Sequence, residues 1–239
     1  DKYGDERRTK FMEAEGEKID VEQMIKEEEM VVTLTHSGYV KRLSPTTYRS
    51  QKRGGRGITA TGVKEEDFVE KMFVASTHDY LLSISSQGQL YWLKVYELPE
   101  ANRVAKGKNI ASLINLSPEE KISAIIPVRE FKEDQYLFMV TKKGTTKKTS
   151  LAEFSNPRKA GIRALNIDEG DELISVELTD GKKQIIIATR EGLAARFDEE
   201  GNRSMGRTAY GVRGIRLEGG DEVIVMVAAE EGKTLLTIT

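Results

Sequence analysis

Residues Gln51-Lys52-Arg53-Gly54-Gly55-Arg56-Gly57 place three cations and three glycines in seven positions. Guanidinium and ammonium groups neutralise phosphate, and glycines let backbone N–H groups come close to an oxyanion and take positive φ. That is the chemistry of gripping a phosphate backbone. The window from Val31 to Val63 also holds Lys41, Arg42 and Arg49 and contains no Asp or Glu, in a chain that is 32% charged.

A repeat positions this segment. Short apolar runs begin at Val31, Leu81, Leu137 and Ile185, and seven residues after each start stands a glycine: Gly38, Gly88, Gly144 and Gly192. The starts are 48 to 56 residues apart, a period that signals a propeller-like or solenoid array. Each run, turn glycine and following run reads as a β-hairpin. A further strand precedes each later hairpin, at Phe73 to Ala75, Ala124 to Val128 and Leu173 to Leu178, with another at Val223 to Val227. Strand and following hairpin are expected to form one small sheet. No such unit can bury its own apolar face, so the units must pack on one another.

The domain organisation expected is an acidic arm at 1–30 and an array over 31–239, with four repeats and the first strand of a fifth near Leu235. In the arm, Asp20 to Gln23 fits a capping box that opens a short helix, with Ile19, Met24 and Ile25 as its apolar face. The chain has no cysteine, which excludes disulfides and thiolate chemistry. No apolar run is long enough for a membrane span and the first thirty residues are not signal-like, so a cytoplasmic protein with no membrane partner is expected.

The formal net charge of -2 hides a division. Residues 1–30 carry 11 acids and 6 bases, so the rest of the chain is net positive. The sign of a patch, not of the whole molecule, decides where a polyanion docks. Four residues after the turn glycines stand Arg42, Trp92, Lys148 and Arg196, and Lys41 and Lys147 precede the first and third of these. A second glycine follows at Gly57, Gly107, Gly161 and Gly211, flanked by Arg103, Lys106 and Lys108, by Arg158 and Lys159, and by Arg207 and Arg213. Cations at equivalent positions of successive units are expected to line one basic rim. Such a rim can bend duplex DNA, the phosphate contacts offsetting an elastic cost of roughly 1–6 kcal/mol per 20–30 base pairs. Trp92 interrupts the column and reads as a packing residue.

No catalytic constellation survives spacing. Glu231-Gly232-Lys233-Thr234 lacks the upstream glycine of a phosphate-binding loop. His36 and His78 are the only histidines and have no carboxylate partner of evident motif, so neither a catalytic triad nor a metal site is expected.

The string Gln51 to Gly57 resembles the gyrase A box, usually Q-R-R-G-G-K-G, of the C-terminal domain in the A subunit of DNA gyrase, with Arg and Lys exchanged at Lys52 and Arg56. Thr35-His36-Ser37-Gly38-Tyr39-Val40-Lys41-Arg42 is similar to that family's first blade, and Gly4 to Thr9 to its opening. The resemblance runs along the whole chain. It implies an all-β fold, a β-pinwheel of four-stranded blades with a short N-terminal arm, usually six-bladed. It also implies a non-catalytic domain that wraps double-stranded DNA for negative supercoiling. The box is the element on which wrapping depends. Its partners would be the remainder of the gyrase A protein and the gyrase B protein, in a bacterial, nucleoid-associated holoenzyme that uses ATP and Mg, with no cofactor in this chain. Two other readings stay open: a topoisomerase IV-like domain that binds DNA without full wrapping, and a protein-interaction propeller.

Overall fold

A computed structural model describes residues 21–47, 67–117, 119–230, 232 and 234. The four hairpins are β1 (Glu29–Thr35) with β2 (Tyr39–Leu43), β4 (Tyr80–Ser85) with β5 (Gln89–Lys94), β8 (Tyr136–Thr141) with β9 (Thr145–Ser150), and β12 (Gln184–Thr189) with β13 (Ala194–Asp198). Each turns at a glycine in the left-handed region, with φ of 80° at Gly38, 76° at Gly88, 85° at Gly144 and 87° at Gly192. A hydroxyl at the end of the first strand locks every turn. The side-chain oxygens of Thr35, Ser85, Thr141 and Thr189 accept the N–H four residues on, at 3.1–3.2 Å.

The strands between hairpins pair differently from the sequence expectation. β3 (Val69–Ser76) does not open the hairpin that follows it; it pairs with β1 of the hairpin before, in the register Met30 with Ala75 and Val32 with Phe73. In the same way β7 (Ile122–Val128) pairs with β4, β11 (Leu173–Thr179) with β8, and β15 (Val223–Ala229) with β12. The short link from β3 to β4 crosses to the next sheet instead of closing a hairpin. This stacks two sheets, and only stacking buries the apolar residues on both faces of β4.

A fourth strand arrives from farther along the chain. β6 (Lys108–Asn109) pairs with β2, β10 (Ile162–Arg163) with β5, and β14 (Val212–Arg213) with β9. The sheets therefore run β3-β1-β2-β6, β10-β5-β4-β7 and β11-β8-β9-β14, with β13-β12-β15 as a three-stranded sheet among the described residues. Each sheet is a blade, and in the first three the edge strand lies beyond the next hairpin in sequence. β11 lies against both β7 and β15, and Ser123 Oγ of β7 donates to the carbonyl of Leu173 at 2.7 Å. These strands form the inner edge of the array. The strands β6, β10 and β14, at the opposite edge of their blades, form the outer one.

The core lies between blades. Along β4, Leu81 joins Val32, Leu34 and Val40 of the first blade, whereas Leu82 and Ile84 join Leu137 and Met139 of the third. Along β8, Phe138 and Val140 face Ile185 and Ile187 of the fourth. Alternate side chains of one strand thus feed two cores, and such a strand reads as a continuous apolar run. A fully buried side chain of this kind contributes about 1.5–3 kcal/mol.

The start of the described chain docks on the second blade through polar contacts. Val21–Met24 makes a single 3₁₀ turn. Thr77 Oγ1 donates to the Lys26 carbonyl at 2.9 Å, a His78 ring nitrogen lies 2.9 Å from the Ile25 carbonyl, and Glu22 meets Lys94 at 2.8 Å. Met24, expected on an apolar face, is 76% exposed. One turn is too short to carry a continuous apolar stripe. Asp20, Ile19 and the strand expected near Leu235 lie outside the described residues.

Candidate nucleic-acid interface

The second glycines press the outer strands onto the neighbouring hairpin. Gly107, Gly161 and Gly211 have φ of 85°, 70° and 98°. A Cβ on them would stand 2.4 Å from the Val40 carbonyl oxygen, 2.8 Å from that of Leu90 and 2.4 Å from that of Thr146. The positive φ agrees with the sequence expectation. The close approach differs from it, because these glycines approach the backbone of the neighbouring strand in the same blade rather than lie open to a phosphate.

The strands they seat carry exposed cations: Lys108 on β6, Arg163 on β10 and Arg213 on β14. Arg158 and Lys159, in the loop before β10, are exposed as well. Arg163 escaped the sequence reading as a site residue. Its signal was present, because it stands two residues after Gly161 as Arg213 does after Gly211.

Lys41 and Lys147 leave the expected rim. Lys41 is 1% exposed and Lys147 fully buried. Lys41 Nζ donates to the carbonyls of Ala105 at 2.7 Å and Arg103 at 2.8 Å, and Lys147 Nζ donates to those of Ala164 at 2.8 Å and Arg207. Burial lowers the pKa of both; Lys147 falls to about 8, the nearby Arg207 guanidinium adding to the effect. A buried ammonium is tolerated because carbonyl dipoles replace its water. These lysines fasten from beneath the loops that lead to the outer strands.

The column four residues after the turn glycine also departs from expectation. Arg42 Nε donates to the Leu98 carbonyl at 3.0 Å and its guanidinium lies 3.4 Å from Glu100. Trp92 Nε1 donates to the Phe154 carbonyl at 2.9 Å, and Lys148 Nζ to that of Glu199 at 2.8 Å. Each acceptor belongs to the 3₁₀ turn after the next blade's hairpin, or to the residue that caps it: Val95–Glu97, Leu151–Phe154 and Glu199–Gly201. The column is a latch between blades rather than a rim, and Trp92 belongs to it because an indole supplies the same donor. Lys148 is accordingly 6% exposed. Arg196, the fourth member, stays exposed and donates through Nε to Gln184 Oε1 of its own blade at 2.7 Å.

Among the other expected cations, Lys106 sits 3.6 Å above the Tyr39 ring, Arg207 lies 3.8 Å from Glu153, and Arg103 is half-buried. Charge segregated in sequence is paired in space at Lys142, which meets Glu172 at 3.0 Å and Glu222 at 3.2 Å; hydrogen bonds to both raise its pKa. Arg49 and the segment Gln51 to Gly57 lie outside the described residues. Among the described residues there is no cluster of acidic or histidine side chains that could hold a metal, and no helix long and apolar enough to cross a membrane.

Stacked small sheets with exposed cations on their outer strands define a propeller-type module. Residues 29–76, 79–129, 135–180 and 183–229 match the family described as "DNA gyrase C-terminal domain, beta-propeller". Each matched block runs from a hairpin toward the inner-strand region that follows it. The chain is 49% identical over 239 residues to the A subunit of DNA gyrase from Salmonella typhimurium (strain LT2), matching all of this chain and 27% of that protein. It thus spans about a quarter of that relative's length. Among solved structures, a DNA gyrase A C-terminal domain is 31% identical with a TM-score of 0.66 over 85% of this chain and 66% of that one. A C-terminal domain of DNA topoisomerase IV is 30% identical with a TM-score of 0.74 over 87% of this chain and 63% of that one. The chain belongs to the DNA gyrase C-terminal domain, β-propeller family.

Proposed function

We propose that this chain binds and wraps duplex DNA as a non-catalytic part of a gyrase A protein. The observation that carries this reading is the recurrence of exposed cations on the swapped outer strands and the loops before them: Lys108 in the first blade, Arg158, Lys159 and Arg163 in the second, Arg213 in the third. Cations at one edge of successive stacked sheets neutralise phosphates along a curved path, so affinity is salt-dependent and nearly indifferent to base sequence. Lys41, Lys147 and Lys148 are removed from the expected contact set. Gln51 to Gly57 remain in it as the gyrase A box. The parent enzyme couples this wrap to negative supercoiling with the gyrase B protein, ATP and Mg, in the bacterial cytoplasm at the nucleoid.

The test has two parts. The chain retards and bends a duplex at low salt, with submicromolar affinity that falls steeply as salt rises; absence of such binding favours a protein-interaction propeller. In the parent enzyme, alanines at positions 51–57 abolish supercoiling and spare relaxation. A topoisomerase IV-like function is the second reading, favoured by the likeness to that enzyme's C-terminal domain, and a parent enzyme that relaxes DNA but introduces no negative supercoils would select it.

A further inference from the structure

The second blade has a cleft of about 280 Å³ lined by Tyr91 and Trp92 of β5, by Leu113, and by Arg158 and Lys159. The loop that carries the two cations is anchored at both ends on β5. At its start the Phe154 carbonyl accepts the Trp92 indole N–H at 2.9 Å. At its end Gly161 lies so close to the Tyr91 ring that a Cβ would come within 2.8 Å of a ring carbon, and the Gly161 N–H donates to the Arg158 carbonyl at 2.9 Å to close the turn.

Charge in the cleft favours an anion. Glu97 is the one acid among its lining residues, and its carboxylate already accepts the Lys94 N–H at 2.8 Å. No carboxylate of the described residues lies within 4.0 Å of Arg158 or Lys159, whereas Arg207 in the third-blade loop has Glu153 and Lys106 in the first-blade loop rests on Tyr39. Two uncommitted cations on a doubly anchored loop in the same cleft as Trp92 form a preorganised seat for an oxyanion with an apolar body behind it.

We propose that this cleft seats a phosphate group, supplied by a backbone phosphodiester as duplex DNA crosses the second blade, with its sugar against Trp92. The proposal rests on the DNA-wrapping reading and deepens it.

Trp92 is the sole tryptophan of the chain, so tryptophan emission reports on a single residue lining this cleft. In the 239-residue chain, labelled duplex is titrated while its anisotropy and the Trp92 emission are followed together, with inorganic phosphate and adenosine monophosphate in parallel arms. The expected result is an emission change that tracks the anisotropy. In the double variant Arg158→Gln, Lys159→Gln that change disappears and the slope of log affinity against log salt falls by about 2. The same emission change with either small phosphate supports the seat and assigns it to free phosphates as well. Duplex binding with unmoved Trp92 emission and an unchanged slope in the double variant overturns the proposal. Absence of any anisotropy change defeats the wrapping reading instead, and the cleft falls with it only when neither small phosphate moves the emission.

Discussion

The indole N–H of Trp92 reaches across a blade junction to the carbonyl of Phe154 at 2.9 Å, as Arg42 reaches Leu98 and Lys148 reaches Glu199. Three chemically different side chains thus perform one task, and hydrogen-bond donation is the property they share. Replacing Trp92→Phe keeps an aromatic ring in place and leaves the Phe154 carbonyl without its donor. A loss of about 1–3 kcal/mol is expected, read as a lower urea midpoint. An unchanged midpoint would show that the latch contributes nothing.

Buried and exposed cations separate in a paired experiment. Lys147→Met strips a donor from the Ala164 and Arg207 carbonyls, so stability falls by about 1–3 kcal/mol and the salt slope of DNA binding stays as in the parent chain. Arg213→Gln does the opposite: the unfolding midpoint holds and the slope drops by about 1. A larger slope change for the Lys147 variant would return that residue to the DNA contact set.

The Lys147 ammonium also predicts a pH dependence. Its pKa falls from 10.5 to about 8 on folding, chiefly through burial. Between those values the unfolded chain binds more protons than the folded one, so stability contributed at this position rises with pH from about 8 to 10.5. Below pH 8 the lysine is protonated in both states and the desolvation cost is present in full. Urea midpoints across this range should show the parent chain gaining on Lys147→Met as pH rises. Parallel curves would refute the assignment.

The outer strands depend on their glycines. Gly211→Ala puts a Cβ 2.4 Å from the Thr146 carbonyl oxygen at a φ of 98°, and a loss of about 2 kcal/mol or more is expected from backbone strain and overlap together. Gly201→Ala meets nothing within 4 Å and should leave stability unchanged. Thermal unfolding of the two variants side by side tests the contrast; equal midpoints would remove the steric argument.

Much of the architecture was legible in one dimension. Val31, Leu81, Leu137 and Ile185 each start a run that ends in a turn glycine, and a hairpin is a local object whose register follows from its own turn. The positive φ of Gly107, Gly161 and Gly211 was likewise readable, because only the lack of a Cβ distinguishes those positions. The direction of the cations was not. Lys41 and Lys108 are both basic residues in short strands, yet one ammonium is sealed under a loop and the other stands in water. What separates them is a set of carbonyls 61 to 64 positions away in the chain.

Periodicity and residue type sufficed for an all-β array with basic residues recurring in each unit, since alternation and turn chemistry act over a few neighbours. Tertiary structure alone decided which sheet each strand completes, that Lys147 and Lys148 tie blades and loops together, and that Lys108, Arg163 and Arg213 occupy the outer edge. The reason is that β pairing and burial join residues far apart in the chain, and a side chain's exposure depends on what those distant partners leave uncovered.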